Sequence, residues 1–239
     1  MPGLGTIINV AAVIAGGILG MLFGKNLKQR VQDTLMSAVA VCVLFLGIGG
    51  CLEEMLVVTE DGVTTQGTMM MIGCFAVGAL IGEWLNIDYH MEHFGEWLKI
   101  KTKSEGDGSF VDGFVTSSLT ICIGAMAVVG AITDGLTGDY SILLAKAILD
   151  MIIIMIMTAS MGKGCIFSAI PVALFQGSIT ILARFVEPLM TPEALSNLSL
   201  TGSMLIFCVG VNLLWGKKVK VANLLPAIFL AVGWAFLPI

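Results

Sequence analysis

The chain has 239 residues, of which 57% are hydrophobic and only 12% charged, with a net charge of −5. Soluble domains carry roughly 25% charged residues to cover their surface, so a water-soluble globular fold is excluded, as are a disordered chain, a coiled coil and a disulfide scaffold. The acidic balance likewise leaves no footprint for nucleic acid, and the solvent that suits this composition is the lipid bilayer.

Crossing about 30 Å of hydrocarbon takes about 20 apolar residues in a helix. Eight stretches meet that length, at roughly 4–24, 34–53, 66–85, 113–132, 142–162, 164–186, 199–216 and 221–239. The fold class expected is therefore all-α: a polytopic helical membrane protein of about eight transmembrane helices, one integral membrane domain over 1–239. No charged segment precedes the first apolar run, so it is read as a retained span and not a cleaved signal peptide. Gly16, Gly20 and Gly24 stripe one side of that span, and Gly78 and Gly82 repeat the spacing in the third. Small residues four apart let helix backbones approach closely where lipid supplies no hydrophobic drive for association. These faces are expected to pack helices within the subunit and are compatible with a homodimer. Gly5-Thr6 also matches Gly67-Thr68 at the same offset, and Cys42, Gly50 and Glu54 of the second span match Cys122, Gly130 and Asp134 of the fourth. Together these suggest an internal duplication of a two-helix hairpin.

Between the third and fourth spans, 86–112 is not plain linker. Ile87, Met91, Phe94 and Leu98 recur at helical spacing with Glu92, Glu96 and Lys99 off the stripe, the pattern of an amphipathic helix lying at a membrane surface. Trp84 and Trp97 suit the same interface. Ten of the twelve basic residues (Lys25, Lys28, Arg30, Lys99, Lys101, Lys103, Lys163, Lys217, Lys218 and Lys220) fall in alternate connections. The other connections carry Glu54, Glu60, Asp61, Asp134, Asp139, Glu187 and Glu193. By the positive-inside rule the basic connections, 86–112 among them, are cytoplasmic and both termini face out.

Charges at membrane depth are costly and mark function. Asp150 lies well inside the fifth span, with Lys146 one helical turn before it on the same face, so an ion pair is geometrically available. The fourth span contains Gly124 and Gly130, which make it easy to break, and ends on Asp134. In the sixth, Ser168, Gln176 and Thr180 surround Pro171, which removes an N–H and is expected to kink the helix and free the carbonyl near Phe167. Freed carbonyls beside Gln and Ser/Thr hydroxyls form the ligand set of hard cations and polar solutes. Asn9, Asn212 and Asn223 are single polar residues in spans, and each taken alone reads as structural; Asn212 nonetheless joins the candidate binding residues.

Several runs resemble a known family. Gly130 to Tyr140 (Gly-Ala-Ile-Thr-Asp-Gly-Leu-Thr-Gly-Asp-Tyr), then Lys146 and Asp150, Phe167 to Val172, Gln176-Gly177, Gly210 to Leu214 and Val221 to Ala227 carry the likeness. They are similar to the uncharacterised bacterial inner-membrane proteins typified by YdfK and YqgA, over essentially the whole chain. The resemblance implies a multi-pass protein of the bacterial inner (plasma) membrane and no particular substrate. Ala125 departs from the pattern, which leads one to expect proline after Gly124, and this weighs against a rigid break in the fourth span.

The residues read best as a secondary transporter or ion-coupled permease for a small solute or ion, with a polar site between the fourth, fifth and sixth spans. A channel or a non-transporting membrane scaffold is the alternative. An intramembrane enzyme is not expected: His90 and His93 lie in 86–112, away from any deep serine, and Asp150 has no second deep aspartate to form a protease pair. No metal and no resident cofactor are expected, and a coupling cation, sodium or proton, fits the polar site. The six cysteines sit in apolar runs without CxxC spacing and read as small core residues.

Overall fold

The computed structural model describes residues 2–24, 28–59, 62–104 and 106–237. Lys25, Glu60 and Asp61, which enter the charge alternation, lie outside the described residues. The burial pattern is that of a protein dissolved in lipid. Leu80, Phe185 and Phe229 are exposed, while Asn9, Asp134 and Gln176 are wholly buried. A water-soluble fold would invert that arrangement.

Among the described residues six helices are long and apolar enough to span a bilayer: α1 (Leu4–Gly24), α2 (Gln29–Met55, apolar from Arg30), α3 (Thr68–Leu85), α7 (Ser141–Met161), the Lys163–Ile181 segment and α10 (Pro192–Trp215). The fourth predicted span is two half-helices, α5 (Phe110–Cys122) and α6 (Ala125–Thr137), bent by 63° at Gly124. Gly124 has φ +144°, a conformation open to glycine at little cost, so the break forms although Ala125, and not the expected proline, follows it. Gly130 does not help to break this span. It stays inside α6, packed against Ile142 and Leu143.

Among the described residues, counting spans by length gives six helices and the bent pair, and the eighth expected span falls short of that test. The predicted 221–239 span is the short α11 (Val221–Leu224) and α12 (Pro226–Trp234). The nine residues of α12 rise about 14 Å at about 1.5 Å per residue, against about 30 Å of hydrocarbon. Pro226 opens α12, where its missing N–H costs nothing. Pro171 likewise sits in the first turn of α8 (Ala169–Ile181). The predicted interruption of the sixth span falls ahead of it, as a 3₁₀ turn over Lys163–Ser168. The Phe167 carbonyl is not left free, since it receives the Ala169 N–H. A short α9 (Ala183–Val186) follows α8.

The connection 54–65 holds an antiparallel hairpin, β1 (Leu56–Thr59) with β2 (Gly62–Thr65), in the register Leu56 to Thr65 and Val58 to Val63. The amphipathic segment is α4 (Ile87–Lys101). Its Leu98 is buried and Phe94 packs against Phe114 of α5 with the rings tilted and their centroids 5.7 Å apart, while its Trp97, and Trp84 at the end of α3, stay exposed, as suits an interface.

Glycine sets the helix pairing. α1 lies parallel to α7, with Gly16 against the Met151 carbonyl, Gly20 against that of Met155, and Gly24 against Ala159. α3 runs antiparallel to α11 and α12, with Gly78 against Ala227 and Gly82 against the Asn223 carbonyl. Both stripes are therefore filled by the chain's own helices, and neither is open for a homodimer. Their partners run in different directions, so the two matched stripes do not play equivalent structural roles. α2 and α10 form a third pair, antiparallel, through Gly47 and Phe207, Gly50 and Ser203, and Gly210 and Leu44.

Alternate connections meet at opposite ends of the bundle. At one end Ser109 donates to the Met161 carbonyl, Ser160 to the Gln32 carbonyl, Lys217 pairs with Asp88 and Glu92, and Lys220 with Glu83. At the other, Asp134 meets Gly5, Thr6 meets Thr180, and Ser196 meets Glu54. The bent pair starts beside Met161 and finishes beside Gly5, so it traverses the bundle and does not re-enter.

Candidate functional site

The site begins with the spacing of two residues on α7. Lys146 and Asp150, four apart, emerge on one face of the helix, both buried, and form an ion pair. A buried pair needs further hydrogen bonds to offset its desolvation. The helix break supplies the first of them. Because α5 ends at Cys122 and α6 begins at Ala125, the Ile121 carbonyl lacks the usual helical N–H partner, and the Lys146 ammonium donates to it at 2.8 Å. The ammonium thus sits at the negative end of the α5 dipole, as cations do in discontinuous membrane helices.

The second comes from α1. The glycine stripe brings α1 backbone to backbone with α7, and Asn9 lies on the same side of the helix as Gly16 and Gly20. Asn9 Nδ2 reaches Asp150 Oδ2 at 3.0 Å and Gln176 Oε1 of α8 at 3.1 Å. Four elements, α1, α5, α7 and α8, therefore converge on one network. It has spare capacity: Asn9 Oδ1 and Gln176 Nε2 are buried without a hydrogen-bond partner among the described residues. One is an acceptor and the other a donor.

Thr6 and Thr180 share a hydroxyl–hydroxyl bond at 3.1 Å, less than one turn of α1 from Asn9 toward its N-terminus. One residue further, the Gly5 N–H donates to Asp134 Oδ2 at 3.0 Å. Asp134 Oδ1 is the third buried polar atom of this region without a partner.

Of the residues expected at the site, Lys146, Asp150 and Gln176 come together, with Thr180 and Asp134 in the layer beside them. Two do not belong. Ser168 gives its hydroxyl to the Cys165 carbonyl at 2.6 Å, closing the 3₁₀ turn. Asn212 braces the loop after α10, accepting from the Lys218 and Val219 N–H groups and donating to the Val219 carbonyl. Asn9 was the central residue that the expected site omitted. Its signal is positional, since it falls one turn from Gly5 on the face that carries Gly16 and Gly20.

A cavity of about 220 Å³ opens at the basic end, lined by Asp88, Glu92, Asp112, Thr116, Leu119 and Lys217 among others. It follows α5 down to Leu119, two residues short of Ile121, and does not reach the Asp150 network. At its mouth, burial works against the Lys217 ammonium, but hydrogen bonds and charge from Asp88 and Glu92 outweigh it and hold its pKa above the ordinary lysine value. Among the described residues no group of three or more His, Cys, Asp or Glu is placed to hold a metal ion.

Residues 4–236 match the family described as a protein of unknown function, DUF554. The chain belongs to this family. It is 30% identical to the uncharacterized membrane protein YdfK of Bacillus subtilis (strain 168), over 95% of this chain and 93% of that one. It is also 29% identical to the uncharacterized protein YqgA of Escherichia coli (strain K12), over 96% and 94% respectively. No solved structure matches the chain. Family, lipid-facing surface and helical architecture agree on a multi-pass membrane protein.

Proposed function

We propose that this DUF554 protein is a secondary transporter or ion-coupled permease for a small solute or ion. The observation that carries the reading is the Asn9–Lys146–Asp150–Gln176 network. A charged pair is anchored to the open end of a broken helix, and a buried donor and acceptor beside it are left unused. Intramembrane charges next to discontinuous helices are where carriers bind their cargo. The α5 cavity at the basic end gives an approach from one side, with Leu119 at its floor. In this reading the basic end faces the cytoplasm of a bacterial inner membrane, both termini lie outside, and no covalent chemistry or resident cofactor is involved.

A channel or a non-transporting scaffold is the second reading, favoured by the mutual neutralisation of Lys146 and Asp150, which suits a brace as well as a binding group. Purified protein in proteoliposomes, screened for sodium, proton and small polar solute flux under an imposed gradient, separates them. A carrier shows saturable flux that falls at least tenfold in Asp150→Asn; a channel shows flux without saturation. A silent screen with folded protein removes both and leaves the scaffold.

A further inference from the structure

Three carboxylates are buried among the described residues: Asp88, Asp134 and Asp150. Two are answered by lysines, Asp88 by Lys217 and Asp150 by Lys146. Asp134 has no such partner. It lies near the end of α6, wholly buried, with Gly135 beside it pressed against the Thr180 carbonyl and Ala183. The Gly5 N–H in the first turn of α1 holds Oδ2 at 3.0 Å, a favourable place for an anion at a helix start. That contact accounts for one oxygen only, and Oδ1 is buried with no hydrogen-bond partner among the described residues.

A buried carboxylate with half its acceptors empty and no countercharge is far costlier than a paired one. The missing component has the chemistry of a unit positive charge placed on Oδ1. We propose that Asp134 binds one monovalent cation, an alkali ion or a proton, and that this is the coupling ion of the carrier; the coupling role rests on the transport reading, the binding does not. The division of labour follows from charge. The Lys146–Asp150 pair is neutral in itself and offers only the amides of Asn9 and Gln176 to cargo, so the uncompensated charge of this region is at Asp134. α1 links the two, because Gly5 bonds Asp134 while Asn9, one turn on, bonds Asp150 and Gln176. Filling or emptying Oδ1 therefore acts on the helix that carries Asn9, one of the two cargo amides.

The charged and titratable groups on elements packed against α6 are Lys146 and Asp150 of α7, Tyr140 at its start, Arg184 of α9, and Glu193 and Cys208 of α10; α1 and α8 carry none. None of them makes an ion pair with Asp134.

The test is the thermal midpoint of detergent-purified, full-length protein, measured against sodium chloride at fixed pH with choline chloride as the ionic-strength control. A second series lowers pH without sodium. A ligand bound only by the folded state raises the midpoint in proportion to the logarithm of its concentration above Kd. The wild type is expected to respond in one series, which identifies the ion. Asp134→Asn, whose amide oxygen still accepts from Gly5, is expected to fold and to lose that response. A wild type indifferent to both ions, or an Asp134→Asn protein that keeps the full response, overturns the proposal. Ion binding that depends on Asp134 in a protein without flux upholds the site and rejects the transport reading instead.

Discussion

The Lys146 ammonium donates to the Ile121 carbonyl 2.8 Å away, and that carbonyl is free only because the chain leaves the helix at Gly124. The break and the buried charge are thus one device. A continuous helix would use the Ile121 carbonyl internally and leave the ammonium with Asp150 alone.

Removing either member of the ion pair strands the other. Lys146→Met and Asp150→Asn are each expected to cost about 3–5 kcal/mol of stability, whereas the double variant, which buries no charge, recovers most of it. Thermal unfolding of the four proteins in one detergent gives the coupling. In the transport reading the double variant is stable and inactive; full flux from it would show that the pair is a brace.

Asn9→Ala takes a donor from both Asp150 and Gln176. Asp150 Oδ2 keeps Lys146, but Gln176 Oε1 is left buried and unsatisfied, at about 1–3 kcal/mol, so the midpoint should fall further than for Asn212→Ala, which relaxes a half-buried loop. The ordering of the two variants is the result to check, since Asn212 was the residue the expected site included and Asn9 the one it left out.

That exchange shows what was readable beforehand. Lys146, Asp150 and Gln176 stood out because charge and amide are rare at membrane depth, and depth follows from position in a span. Depth says nothing about which neighbour a side chain meets. Asn212 is near the end of its span, where the loop back to Val221 claims it, and Asn9 becomes central only through the α1–α7 pairing. Gly124 marked where the fourth span could break, but both half-helices are similarly apolar and Ala125 weighed against a break, so the bend itself was not legible. The hairpin had a signal, with β-branched residues on both sides of Asp61-Gly62, but 54–65 reads first as a polar connection.

The glycine stripes make a packing prediction. A Cβ at Gly82 would meet the Asn223 carbonyl, which is backbone and cannot swing aside. Gly82→Ala is expected to destabilise by about 1–3 kcal/mol, and Gly177→Ala, which meets nothing within 4 Å, by far less. Thermal unfolding of the pair checks the contrast.

Lys217 gives a pH dependence with a definite sign. Asp88 and Glu92 raise its pKa in the fold over the opposing effect of burial, so its ion pairs stabilise the protein while the unfolded chain's lysine is also charged. The contribution is present below about pH 10.4, the ordinary lysine value, and is lost as pH climbs through the higher folded value. Lys217→Met should lower the midpoint at neutral pH and converge on the wild type at strongly alkaline pH. A constant difference across the range would mean that the side chain acts by packing.

The bend itself can be challenged at one residue. Gly124 holds φ +144° with nothing within 4 Å of where a Cβ would stand, so the cost of Gly124→Ala is backbone strain and not crowding. Strain of this kind amounts to about 1–3 kcal/mol. It has one cheap release, which is for Ile123 and residue 124 to become helical and return the Ile121 carbonyl to the N–H of Ala125. Lys146 then loses its second acceptor, and the network loses the contact that ties it to α5. The expectation is a protein of near-normal fold with flux reduced at least tenfold, a phenotype a purely structural bend would not give. Pairing the flux measurement with circular dichroism, where joining the half-helices raises helical signal slightly, separates a straightened span from one that has simply come apart.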